Sequence, residues 1–225
     1  MFRIKLSILL LLFSVALPAQ ERETDVGSMF SVELKKRLGQ KFDVSLEEEL
    51  RLMTNNSNGF DRWVNTVGVD YSIISKKLKA GLYYSHLYLN NSNKYYENRY
   101  RYSFSLIYKE SFGKYTVSWR GRVQGTCRDE NVGEYKINPK YVLRNKLEVE
   151  YLIRGSRWKP YLFTETTNTL NDPIGNEIYK IRFQGGSSCR LDRTTYLEFF
   201  LRWNEYIVMP DPRVISIGVG YRKNF

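Results

Sequence analysis

Residues 99–124, RYRYSFSLIYKESFGKYTVSWRGRVQ, hold two stretches in which apolar and polar side chains alternate. In the first stretch, Tyr100, Tyr102 and Phe104 share one face, while Arg101 and Ser103 lie on the other. After a short polar turn, YTVSWRGRVQ repeats the pattern. Because successive side chains of a β-strand point to opposite faces, this period of two predicts two antiparallel strands, each with one apolar and one charged face.

The same format recurs from residue 25 to the C-terminus, and helical spacing fits these windows less well. Residues 42–52 and 141–151 show it clearly. The predicted strands are 25–37, 41–53, 62–75, 79–90, 98–110, 115–126, 139–153, 158–168, 177–189, 195–206 and 213–225.

The segments between these strands alternate in length. Short turns are predicted at 38–41, 75–78, 111–114, 154–157 and 190–194, and longer polar loops at 54–60, 90–98, 127–138, 168–176 and 206–212. Short turns at one end and long loops at the other are typical of outer-membrane β-barrels, whose long loops lie outside the cell. A strand of about 13 residues tilted by about 40° rises about 33 Å, which is enough to cross the hydrocarbon layer.

The composition agrees with an all-β membrane protein. Aromatic residues make up 15% of the 225 residues, with 18 Tyr and 12 Phe, which favours strands. The mean hydropathy of −0.47 is as low as that of a soluble protein, but only alternate strand residues of a barrel face lipid. We therefore predict an antiparallel up-and-down transmembrane β-barrel of about 10–12 strands. Eleven strands can be counted, whereas bacterial barrels have an even number of strands and both chain ends in the periplasm. A barrel of ten strands would leave the first segment outside the wall. A barrel of twelve would need one strand in addition to those counted.

The N-terminus resembles a secretory signal peptide. Arg3 and Lys5 precede an apolar run over residues 6–17, which ends in PAQ and an abrupt change to charged residues. We predict a signal peptide over residues 1–19 and a single barrel domain over residues 20–225, exported to the outer membrane. The alternative, a membrane anchor, needs a longer apolar run.

The formal net charge of +11 invites comparison with nucleic-acid-binding proteins. Export and the alternation of charges along strands argue against that class, so we expect membrane lipids and no nucleic acid as partners.

Cys127 follows a strand that leads to the outer side, and Cys189 precedes a short turn. Their Cα atoms should lie tens of ångströms apart, beyond the roughly 7 Å limit for a disulfide.

The C-terminal stretch RVISIGVGYRKNF is a predicted amphipathic strand that contains Tyr221 and ends in Phe225. It resembles the segment by which the outer-membrane insertion machinery recognises its clients, so we expect that machinery as a partner during biogenesis and a monomeric product.

Several strand segments resemble one known family. FDRWVNTVGVDYSI (60–73), residues 99–124, RNKLEVEYLI with WKPYLFTE (144–165) and IGVGYRKNF (217–225) are similar to the domain-of-unknown-function 2490 family. The resemblance spans nearly the whole chain after the leader. It implies an exported outer-membrane barrel and supplies no activity, ligand or catalytic residues.

The polar face of the predicted strands is rich in charge, and we expect it to line the lumen. The predicted lumen-facing charged residues are Glu47, Glu49, Arg51, Arg99, Arg101, Arg120, Arg122, Arg144, Lys146, Glu148, Glu150, Lys180, Arg182, Glu198, Arg202 and Arg222. One interpretation is a filled or constricted lumen of interlocked ion pairs, since small barrels are filled by side chains. The other is a pore for small anions, since Arg and Lys outnumber the acids.

Catalytic and cofactor chemistry finds little support in the sequence. His86 is the only histidine, so a lipid-modifying enzyme would need it as the base. Ser85 would point to the opposite face, and Ser103 and Ser105 are the alternative nucleophiles. The carboxylate pairs Glu47/Glu49 and Glu148/Glu150 have a spacing compatible with glycosidases but lie beside basic residues. We expect no catalytic residue, metal or cofactor.

Tyr and Trp residues near strand ends indicate aromatic girdles at the membrane interfaces, with ordinary strand propensity as the alternative. They are Trp63, Tyr83, Tyr84, Tyr88, Tyr115, Trp158 and Tyr206. The leading functional hypothesis is an outer-membrane barrel with a structural role or with recognition through its external loops. The alternatives are a narrow anion or solute channel, a lipid-modifying enzyme using His86, and a soluble periplasmic barrel or sandwich with an apolar interior.

Overall fold

The computed structural model describes residues 23–54, 59–91, 95–129, 137–173, 175, 177–207 and 212–225. These residues form eleven β-strands that close into one barrel. The strands are β1 (Thr24–Leu38), β2 (Phe42–Met53), β3 (Phe60–Ile74), β4 (Leu78–Asn91), β5 (Tyr95–Phe112), β6 (Tyr115–Arg128), β7 (Lys140–Tyr151), β8 (Trp158–Thr169), β9 (Ile178–Arg190), β10 (Thr195–Tyr206) and β11 (Arg213–Asn224). Among the described residues, no helix is long and apolar enough to span a membrane.

The alternation in the sequence therefore predicted the fold correctly. Each of the eleven predicted strands is present, and its ends differ from the prediction by a few residues. The predicted signal peptide, residues 1–19, lies outside the described residues.

The strands follow one another around the barrel, and each consecutive pair is antiparallel. The closing pair is different: β1 and β11 are parallel, in a register that runs from Thr24↔Arg213 to Lys35↔Asn224. The counts of ten and twelve strands are therefore wrong, because the first segment joins the wall. With an odd number of up-and-down strands, the first and last strands must run in the same direction. As a result, β1 begins at one end of the barrel and β11 finishes at the other, so the expectation of both ends on one side is also wrong.

The connections differ in length between the two ends of the barrel. At one end, which we call the short-turn end, residues 39–41, 75–77, 113–114, 152–157 and 191–194 join the strands. Gly39 and Gly113 have φ of 66° and 61° there, a conformation that glycine adopts without strain. In the last of these turns, the backbone N–H of Thr194 donates to Asp192 Oδ1 at 2.7 Å, which holds the pKa of this carboxyl well below its usual range.

The opposite end, which we call the long-loop end, carries the connections 54–59, 92–94, 129–139, 170–177 and 207–212. Parts of all five lie outside the described residues. The difference in length between the two ends agrees with the prediction, although the 92–94 connection is short.

The two faces of the wall have opposite chemistry. Large apolar side chains point outward, and Leu82, Leu162 and Ile217 are 65%, 69% and 62% exposed. Inside, the buried residues include many charged and polar ones, of which Glu165 is 1% exposed. A soluble barrel with a ligand in an apolar interior would need the reverse arrangement. The polar interior therefore opposes that alternative.

Candidate functional site

The interior of the barrel contains a cavity of about 490 Å³ lined mainly by charged side chains. Of the sixteen charged residues predicted to face the lumen, all but Arg99 and Lys180 line this cavity. Arg99 lies on the same face of β5 as Arg101, and Lys180 on the same face of β9 as Arg182, so both belong to the lumen face but lie nearer the long-loop end.

The most buried acid of the lumen is Glu165, on β8. Its Oε2 accepts a hydrogen bond from Arg120 Nη2 at 2.9 Å. Its Oε1 accepts one from Arg144 Nη2 at 2.6 Å and one from Arg182 Nη1 at 3.1 Å. These arginines come from β6, β7 and β9, so one carboxylate links four neighbouring strands on the lumen side of the wall.

Glu165 was missed in the sequence because the alternation of β8 is ambiguous. Tyr161 and Phe163 share the lumen face with Glu165, so aromatic residues occur where polar ones were expected. The period of two places Glu165 on the same face as these two aromatic residues. In the strand register it lies directly opposite Arg182 of β9.

Acids and lysines pair near the short-turn end. Asp43 lies 2.6 Å from Lys79 Nζ and 3.4 Å from Arg37 Nε. Lys35 Nζ lies 3.2 Å from Asp70. Further pairs join Lys146 to Glu148 at 2.5 Å and Arg222 to Glu33. This part of the lumen is therefore close to neutral.

Toward the long-loop end, several cations are not neutralised in this way. Among the described residues, no carboxylate lies within 4.0 Å of Arg101, Arg122, Lys180 or Arg202. Arg101 Nε donates to Thr126 at 3.3 Å, and Arg202 Nε donates to Gln184 at 2.7 Å. The cavity lining as a whole contains twelve Arg or Lys residues and eight Asp or Glu residues. The lumen therefore carries an excess of positive charge.

The structure corrects the predicted aromatic girdles at two positions. Tyr83 points into the lumen, where its hydroxyl donates to Asp70 and its ring lies 4.7 Å from the Arg122 guanidinium. Tyr206 shares the lumen face of β10 with Arg202, and its ring lies 5.6 Å from Lys180 Nζ. The remaining predicted girdle residues lie on the outer face: Trp63, Tyr84, Tyr88, Tyr115 and Trp158.

The residues considered for catalysis are separated by the wall. His86 faces outward, stacks on Tyr100 at 5.4 Å, and its Nε2 lies 3.0 Å from Asn98 Oδ1. Ser85 and Ser103 line the lumen, and Ser105 faces it. The structure therefore places His86 and these serines on opposite faces of the wall.

Three of the four paired carboxylates, Glu49, Glu148 and Glu150, contact cations, whereas Glu47 has no cation within 4.0 Å among the described residues. In the carboxylate pairs, Glu49 binds Arg51 at 2.6 Å and Glu148 binds Lys146. Within the described part of the chain, no group of three or more His, Cys, Asp or Glu residues could hold a metal ion.

The two cysteines and the C-terminal residues lie where the strand map predicted. Cys127 is near the long-loop end of β6 and Cys189 near the short-turn end of β9, and both are free thiols. Tyr221 and Phe225 are exposed, and the backbone N–H of Phe225 donates to the carbonyl of Lys35 at 2.8 Å, which extends the parallel seam to the last residue.

The chain is similar to known proteins in sequence and in structure. A family model described as "Protein of unknown function (DUF2490)" matches residues 27–206. No curated protein matches. A "Bacterial polysaccharide outer membrane secretin" has a similar structure, with a TM-score of 0.53 and 13% identity over 80% of this chain and 63% of the secretin chain. The β-domain of the Bordetella autotransporter BrkA gives a TM-score of 0.47 and 12% identity over 84% of this chain and 86% of that one.

Proposed function

The chain belongs to the DUF2490 family, whose function is unknown, and from the chemistry of its barrel we propose that it is an integral outer-membrane protein of a Gram-negative bacterium. The observation that carries the proposal is the exposed apolar face of a closed wall. A closed barrel satisfies its backbone hydrogen bonds internally, so it can lie in hydrocarbon without unpaired polar groups. The fold shared with an outer-membrane secretin supports the same location.

The proposed role is structural, or recognition through the long-loop end, and does not require a wide pore. Glu165 and its three arginines occupy the lumen between β6 and β9, and the cavity beside them is only about 490 Å³. In this proposal the four interlocked side chains fill the lumen beside β6 to β9 and constrict it. Catalysis is not part of the proposal.

Fractionation and gel mobility test the location. The full-length protein, expressed in a Gram-negative host, should be processed near residue 19, fractionate with the outer membrane and migrate faster on gels before heating than after. Recovery of a soluble periplasmic protein without heat-modifiable mobility would refute the proposal.

A second candidate, a narrow passage for small anions, is favoured by the excess of cations in the cavity lining. Planar bilayers separate the two roles. The constricted barrel should give no steady nanosiemens-scale steps, whereas an anion passage would give small steps whose reversal potential in a salt gradient shows anion selectivity.

A further inference from the structure

Five arginines converge on the cavity in the half of the barrel nearer the long-loop end. They are Arg51, Arg101, Arg144, Arg182 and Arg202, from β2, β5, β7, β9 and β10, and we call them the arginine cluster. Their charges interact across the lumen: Arg182 is repelled by Arg202, Arg144 and Arg51, and Arg101 by Arg144 and Arg51. Because these five strands are spread around the wall, the cluster lines the cavity on several sides.

The carboxylates that contact the cluster are too few to neutralise it. Among the described residues they are Glu49, which binds Arg51 at 2.6 Å, and Glu165, which is shared by Arg144, Arg182 and a further arginine outside the cluster. Arg101 and Arg202 have no carboxylate within 4.0 Å in the part of the chain that the structure describes. Enclosed cations without counter-charges are costly, so the arginine cluster by itself destabilises the barrel.

The strand register adds to this imbalance. Arg144 lies directly opposite Arg122 on β6. Arg51 lies directly opposite Arg62 on β3, although these two pair with Glu49 and Asp61. Like charges in direct cross-strand positions destabilise a sheet. In addition, the buried Nε atoms of Arg120, Arg122 and Arg144 have no hydrogen-bond acceptor among the described residues. A buried donor without an acceptor carries its full desolvation cost.

We infer that the arginine cluster binds a small multivalent oxyanion, of the phosphate or phosphate-monoester class, inside the lumen. Guanidinium groups present forked donors that match the oxygens of phosphate, and several of them can share one dianion. The ligand would supply the missing negative charge and an acceptor for Arg144, the member of the cluster whose Nε lacks one. Binding of an oxyanion in the lumen goes beyond the proposed role. It depends on the side chains inside the barrel and not on which membrane surrounds it.

Thermal unfolding of the detergent-purified full-length barrel tests this inference. Inorganic phosphate and glycerol 3-phosphate are each compared with sodium chloride at equal ionic strength, after unheated gels have shown that each sample is folded. We expect both phosphate compounds to raise the unfolding temperature beyond the effect of chloride. A response to inorganic phosphate alone would restrict the ligand to the free ion.

Matched variants decide whether the cluster is responsible. Arg101→Gln should weaken phosphate binding about tenfold, because it removes charge-assisted hydrogen bonds. Without phosphate, the same variant should unfold at a higher temperature than the wild type, because it removes an unpaired cation. Arg193→Gln removes a charge in an exposed turn and should change neither result.

Equal responses to phosphate and chloride would overturn the inference, as would an Arg101→Gln variant that responds like Arg193→Gln. If Arg101→Gln does not fold, Arg202→Gln provides the same comparison from the other side of the cavity. Failure of these tests on folded barrels would leave the outer-membrane proposal intact, because that proposal is tested by fractionation.

Discussion

Replacement of Glu165 by Gln should destabilise the barrel more than any other single loss of a carboxylate in the lumen. The change is nearly isosteric and removes the charge that binds Arg120, Arg144 and Arg182 at 2.6–3.1 Å. Glu165 is 1% exposed, so bulk water does not replace it. Removing one partner of a buried ion pair costs about 3–5 kcal/mol, and we expect about 3 kcal/mol because the amide oxygen of Gln can still accept a hydrogen bond.

Urea unfolding of the barrel in lipid vesicles, followed by tryptophan fluorescence and gel mobility, measures this loss. For a denaturant dependence of about 1–3 kcal/mol/M, the midpoint should fall by at least about 1 M. Glu110→Gln is the control, because it removes an exposed ion pair with Lys77 near the short-turn end and should leave the midpoint close to that of the wild type. Equal midpoints for Glu165→Gln and Glu110→Gln would refute the assignment of Glu165 as the centre of the network.

Three further predictions concern the wall. Leu201→Arg, in the middle of the outer face of β10, should cost about 2–4 kcal/mol in vesicles, and an unchanged urea midpoint would count against a lipid-facing position. His86→Ala should leave any lipid hydrolysis by the purified protein unchanged, because the wall separates His86 from the lumenal serines, and a loss of turnover would show that His86 is a base. Cys127 and Cys189 should both react with maleimide in the unfolded, unreduced protein, and a mass that reveals an intramolecular disulfide would contradict the strand map.

The wall of the barrel could be predicted from the sequence because its signal is local. In residues 99–124, each side chain's face follows from its position in a period of two, and no distant contact is needed. The turns at Gly39 and Gly113 are local too. For these reasons the strand bounds agree with the structure within a few residues.

The features that the sequence did not predict depend on contacts between distant strands. The parallel closure pairs Thr24 with Arg213, and the strand pattern alone does not specify that register. Tyr83 was placed at the membrane interface because β4 has apolar residues on both faces, with Leu82 outside and Leu87 inside. For the same reason the sequence did not predict that Glu165 faces the lumen, because its neighbours on that face of β8 are aromatic.

The four tryptophans of the chain offer the most direct test of the outward apolar face. Trp63, Trp119, Trp158 and Trp203 all lie on the outer side and are 45%, 43%, 45% and 37% exposed. In vesicles whose acyl chains carry bromine, we expect strong quenching of the wild-type fluorescence and little quenching by aqueous iodide. Efficient quenching by iodide, with no effect of the brominated chains, would contradict a barrel whose apolar face lies against lipid.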